Sequence, residues 1–165
     1  MSTLAVNTLQ AQTGSNVTVA SGTTLQAPGH VVQMQSTTTR LFASTTSTTL
    51  ADLLTISFTP KFSTSQLLID VCLRFQENAT NTNLIYKVLN GSTTVYQVNN
   101  YSVYHDAAGN SIDTLTFHAV GAAGSTSARD IKFQAAKYQT GGTFTVNVND
   151  PVGTGTRMTV MEIAQ

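Results

Sequence analysis

This sequence predicts an all-β fold: a short N-terminal β-stalk over residues 1–29, intertwined in an oligomer, then an antiparallel β-sandwich or jelly-roll-like domain over residues 30–165. Three observations predict it. Charged residues make up 10% of the chain, far below the roughly 25% of an average globular protein, and 29 Thr and 14 Ser fill the gap. Thr and Val suit a pleated, half-buried surface, while Ala, Leu, Glu and Lys are not abundant enough to build long helices. The 41% hydrophobic content falls in alternating runs, the period of a strand with one buried face, so the chain orders despite its low charge. Finally, Asn90-Gly91 stands between two such runs, a strong short-range hairpin signal.

In the opening stretch Leu4 and Val6 alternate with Ala5 and Asn7, and Val17 and Val19 flank Thr18. Two units, Thr13-Gly14-Ser15-Asn16-Val17 and Ser21-Gly22-Thr23-Thr24-Leu25, share one form eight residues apart. Each supplies one or two apolar side chains, too little to offset roughly 1–2 kcal/mol of backbone entropy per residue. Partners must supply the rest. Pairing the same segment from several chains around an axis does so, with Leu4, Val6, Leu9, Val17, Val19 and Leu25 pointing inward. Pro28-Gly29 is a turn signal and a domain boundary.

Beyond it, Val31 to Gln35 starts a strand, and Ser36 to Thr49 is a hydroxyl tract, either an extended strand edge or a loop. Over Leu53 to Phe58 the residues Leu54, Ile56 and Phe58 share one face, and Pro60 ends the run. Gln66 to Phe75 is the clearest strand, with Leu67, Ile69, Val71, Leu73 and Phe75 forming one apolar face. Its other face, Leu68, Asp70, Cys72 and Arg74, is mixed enough to meet solvent or a neighbouring subunit. After the hairpin "LIYKVLNGSTTVYQV", strands are expected at Ile112 to Val120, Ile131 to Tyr138, Phe144 to Val148 and Met158 to Ile163. Eight to ten short strands after Pro28, punctuated by Gly and Asn, suggest a sandwich or jelly roll.

The formal net charge is zero and the eight basic residues are scattered, so nucleic acid is not an expected partner. A near-neutral surface favours self-association instead. The single Cys72 excludes an internal disulfide. No charged segment with an apolar core follows Met1, and no apolar stretch approaches about 18 residues, so neither a secretory signal nor membrane insertion is expected.

Catalytic chemistry finds little support. His30, His105 and His118 with Cys72 do not fall at the spacings of structural zinc sites, so no metal or other cofactor is expected. Glycoside hydrolysis would need two facing carboxylates; Glu77, Asp106, Asp113 and Glu162 read as solvated turn or strand carboxylates. No Gly-x-Ser-x-Gly elbow occurs, and "GAAGSTS" at 121–127 lacks the Lys and helix of a phosphate-cradling loop. The chain is therefore expected not to be an enzyme.

The stretch most suited to recognition is "VYQVNNYSVYHDAAGN", residues 95–110. Tyr96, Tyr101 and Tyr104 with Asn99, Asn100, His105 and Asp106 combine flat aromatic area with short polar groups, on which a sugar ring could stack. The same tyrosines also fit cross-strand packing or a subunit interface.

The repeat-like opening ending in "APGHVVQ", then "FTPKFSTSQLLI", a hairpin and a closing "RMTVMEIAQ" resemble the small fibre and virion structural proteins of tailed bacteriophages from aquatic hosts. The resemblance implies a homotrimer with an intertwined N-terminal stalk and a globular β-domain. Such a protein is carried on a tail or capsid through its N-terminal segment, contacts a bacterial surface glycan, and leaves the host cytoplasm by lysis. It assigns no catalytic or binding residues. A capsid-decorating structural fibre and a free carbohydrate-binding β-domain are the other two readings.

Overall fold

Alternation dictates the architecture, because each strand with one apolar face must bury it against another sheet. In the computed structural model, which describes residues 20–39, 43–78, 82–100, 104–105, 111–139, 141–146 and 155–165, eleven strands and no helices are found among the described residues. They are β1 (Val31–Thr39), β2 (Ala43–Thr45), β3 (Ala51–Phe58), β4 (Gln66–Glu77), β5 (Thr82–Asn90), β6 (Thr93–Val98), β7 (Tyr104–His105), β8 (Ser111–Ala122), β9 (Arg129–Lys137), β10 (Phe144–Val146) and β11 (Thr156–Ile163).

The hydroxyl tract divides between two elements. Thr37, Thr38 and Thr39 extend β1 opposite Met158, Arg157 and Thr156, and Ala43–Thr45 forms a separate short strand on β10.

All pairings are antiparallel and make two sheets. In the first, the long strands run β1-β11-β4-β8, with β10 and β2 continuing the sheet beside the far half of β4. In the second they run β3-β9-β5-β6, with β7 on the same edge of β5 as β6. Following the eight long strands, the chain changes sheet at every connection but one, the β5–β6 hairpin. This order, two Greek keys wrapped into a sandwich, is that of a jelly roll.

The core lies between the sheets. Leu67, Ile69, Val71, Leu73 and Phe75 of β4 are fully buried, as are Met158 and Val160 of β11. They meet Leu54, Ile56 and Phe58 of β3, Leu84, Tyr86 and Val88 of β5, and Ile131 and Phe133 of β9. Each such side chain contributes roughly 1.5–3 kcal/mol of transfer free energy. The hairpin turns at Gly91, whose φ of 61° is a left-handed conformation open to glycine.

Closure at the β6–β8 side depends on a close approach. A Cβ placed on Gly121 of β8 would lie 2.7 Å from Val95 Cγ1 of β6, nearer than side chains pack. Asn90 ties the same corner, its Nδ2 donating to the Ala122 carbonyl at 2.9 Å. Gly121→Ala should therefore cost about 1–3 kcal/mol in chemical unfolding. Adding Val95→Ala should recover part of that loss; additive effects in the double-mutant cycle would contradict the contact.

Candidate functional site

The recognition stretch follows from the hairpin. β6 lies along Tyr86–Asn90 of β5 and β7 along Thr82 and Asn83, so residues 93–98 and 104–105 both pair with β5. Val88 and Leu89 oppose Tyr96 and Thr94, which leaves Val95 in a bulge. Asn99 and Asn100 follow β6 and are exposed. His105, read from the sequence as a loop residue, pairs with Thr82 as part of β7, and Tyr104 pairs with Asn83. Tyr101 and Asp106 lie outside the described residues.

Tyr96 faces both ways. It stacks on Phe117 of β8 at 5.2 Å between ring centroids and on Tyr86 of β5 at 6.1 Å, yet keeps 37% of its surface exposed. Tyr86 and Phe117 in turn contact Phe133 of β9, so the ring closes the aromatic end of the core. Burial, then the neighbouring Tyr96, push the Tyr86 phenol up to about 12. What this edge offers a ligand is one aromatic rim with short amides beyond it, which suits stacking and neutral hydrogen bonding.

Of the stalk residues, Leu25 is described and is 47% exposed; Leu4, Val6, Leu9, Val17 and Val19 lie outside the described residues.

Of the carboxylates the sequence singles out, Asp113 of β8 stands opposite Phe75, diagonal to Glu77 at the end of β4, Asp106 lies outside the described residues, and Glu162 is remote from Glu77. Glu162 stands opposite Leu67 near the start of β4, and Glu77 ends that strand, so at about 3.3 Å per residue they are roughly 33 Å apart. Glu162 is no solvated strand residue, as the sequence suggests, but is fully buried. Its Oε1 accepts the Lys61 and Phe62 N–H groups at 2.9 Å each, and its Oε2 accepts Gln33 Nε2 at 2.6 Å. Gln33 Nε2 also donates to the Thr59 carbonyl at 2.8 Å. The carboxylate thus clamps the β3–β4 connection to β1 and β11. No sequence motif marks it; a Glu on the inward register of an apolar strand was the available signal.

Glu77 is likewise buried, and faces Lys137 across the sandwich. Lys137 Nζ donates to the Gly142 carbonyl at 2.7 Å. Burial pushes the lysine down from its ordinary value, and the Glu77 charge opposes that. Nearby at the start of β5, Asn83 is buried, and neither amide atom has a hydrogen-bond partner among the described residues.

A hollow of about 210 Å³ opens where β2 and β10 face β3 and β9, walled by Leu53, Ala135, Phe144 and Val146. Asp52 at its rim accepts Lys132 Nζ at 2.8 Å and Gln134 Nε2 at 2.6 Å. The lysine first and the amide second hold the Asp52 carboxyl below its ordinary value. The loop from β8 to β9 is tied by Arg129, which donates to the Ala123 carbonyl and the Ser125 hydroxyl. Among the described residues, no three His, Cys, Asp or Glu side chains gather as a metal site.

No family model matches the sequence, and no curated protein matches it. Solved structures do. The fold is shared with a viral chain. A chain in the structure of infectious bursal disease virus, Gt strain, aligns at a TM-score of 0.52 and 12% identity over 90% of this chain. The present chain spans 42% of the length of that one. A chain of the VP2 subviral particle of the same virus aligns over 79% of this chain and 37% of its own length, at a TM-score of 0.46 and 17% identity. At such identities the likeness is one of fold.

The clamp sets a pH dependence. Burial pushes the Glu162 carboxyl up, but the Lys61 N–H, the Gln33 amide and the Phe62 N–H outweigh it and hold it below its ordinary value of 4.5. The stabilisation is therefore present above that value and is lost as pH falls through the lower folded-state value. Glu162→Gln should cost about 1–3 kcal/mol at neutral pH. Urea unfolding should show the parent chain losing more stability than the variant on acidification below about pH 4.5; parallel curves would contradict the clamp.

Proposed function

We propose that this chain is a virion structural protein, a homotrimeric fibre or fibre-tip protein of a tailed bacteriophage that attaches to the host surface. The observation that carries the reading is the jelly-roll strand order, aligned over 90% of the chain with a chain of a virus structure. The same architecture serves viral capsid and lectin domains, so a β-domain that assembles and binds neutral surfaces fits both its fold and its composition. The phage source and the stalk rest on the sequence resemblance.

In this reading residues 1–29 join three copies and dock into other virion proteins. The edge carrying Tyr96, Asn99 and Asn100, with Tyr101, Tyr104, His105 and Asp106 in the same stretch, meets a bacterial surface glycan. Binding is by contact alone, with no catalytic step, cofactor, nucleic acid or membrane insertion. Its mechanism is avidity: three weak sites on one particle raise effective concentration without new contacts. The protein is made in the host cytoplasm and released by lysis.

Labelled full-length protein should bind host cells, and its solution mass should be about 52 kDa, three chains of 17.5 kDa. Asn99→Ala with Asn100→Ala, both exposed, should weaken cell binding roughly ten-fold or more through loss at three linked sites, with unchanged thermal unfolding. Undiminished binding by that variant would move the contact elsewhere, and a monomer that binds a sugar would favour the free carbohydrate-binding domain.

A further inference from the structure

The outer face of the first sheet carries an apolar row that the described residues leave open. Strand register builds it: Met34 of β1 stands opposite Met161 of β11, Met161 opposite Leu68 of β4, and Leu68 opposite Val120 of β8. Residues directly opposite in antiparallel strands share a face, so the four side chains form one line across the sheet, about 15 Å long at the usual strand spacing. Met34 is 63% exposed and Val120 56%. The next row toward the chain entry is Val31, Ile163, Gln66 and Ala122, with Val31 45% exposed.

These eight positions carry no charge. Scattered apolar side chains on a surface need no explanation, but contiguous ones in register mark a contact surface. The row on the other side is polar: Ser36, Thr159, Asp70 and His118, with His118 Nδ1 lying 3.3 Å from Asp70 Oδ1. The apolar patch therefore has a defined border.

Two observations say what covers it. The chain enters the sandwich beside the patch, because the Gly29 N–H donates to the Ala164 carbonyl at 2.8 Å and the Ala164 N–H to the His30 carbonyl at 2.9 Å. Copies joined through residues 1–29 would thus be held together at this end of the sheet, where linkage raises the effective concentration of one face for another. Neutrality is the second: the chain has zero formal net charge and the patch none, so identical faces meet without repulsion. A lipid surface would want flanking Lys or Arg, and a glycan would want polar groups in the place of two methionines and a valine. Flexible thioethers suit a surface that must repack against a copy of itself.

We infer that this face is a contact between copies of this chain, in which Met34, Met161, Leu68 and Val120 of one copy pack against a second copy and continue the association begun by residues 1–29. The inference rests on the oligomer proposed above and locates an interface within the folded domain.

Sedimentation velocity across a concentration series tests it on the full chain. Two double variants are used, Met34→Glu with Val120→Glu, and Met34→Ser with Val120→Thr, the second adding no charge should the first fail to fold. Either folded variant should dissociate at a concentration roughly 100-fold higher than the parent, the size of effect expected for central apolar contacts. A parent trimer with a variant that assembles at the same concentration overturns this interface and leaves the oligomer standing. A parent that is monomeric throughout overturns both.

Discussion

Burial of one face of β4 is the constraint on which the rest of the structure depends. Five successive inward side chains, Leu67 to Phe75, must all leave water, and β4 is flanked on both edges, by β8 on one and by β11 and β10 on the other. A second sheet is required to cover that face, and β3, β9 and β5 supply it. Everything else in the sandwich serves this closure. Glu162 ties the β3–β4 connection across one end, the glycine at 121 lets β6 approach β8, and Tyr96 lies over the aromatic side chains at that corner.

Much of this was legible in the sequence. Alternation located β3, β4, β8, β9 and β11 because the signal is local and each strand has one apolar face. Asn90-Gly91 located the hairpin because φ > 0 at that turn restricts the residues able to occupy it. The hydroxyl tract was ambiguous for a physical reason: Thr and Ser suit a strand edge and a turn equally, and only pairing with β11 and β10 decides which residues extend. Strand order was beyond reach, since it is set by contacts distant in sequence.

The site residues show the same division. That β6 returns along β5 follows from the hairpin, so the exposed pair Asn99 and Asn100 sits where alternation ends. The stacking of Tyr96 on Phe117 could not be read, because β6 and β8 belong to different sheets and meet only when the sandwich closes. Glu162 and Lys137 were hidden for a further reason. A charge in a strand ordinarily reads as solvent-facing, and its burial becomes tolerable only when folded neighbours supply hydrogen bonds that no local pattern announces.

The inner face of the first sheet makes the domain; in the proposed reading the outer face, with residues 1–29, joins the copies. Immunoelectron microscopy of particles purified from a lysate producing this protein tests the central claim most directly. Label is expected at fixed positions on the particles, retained through purification. Label confined to the soluble fraction, with bare particles, would contradict it.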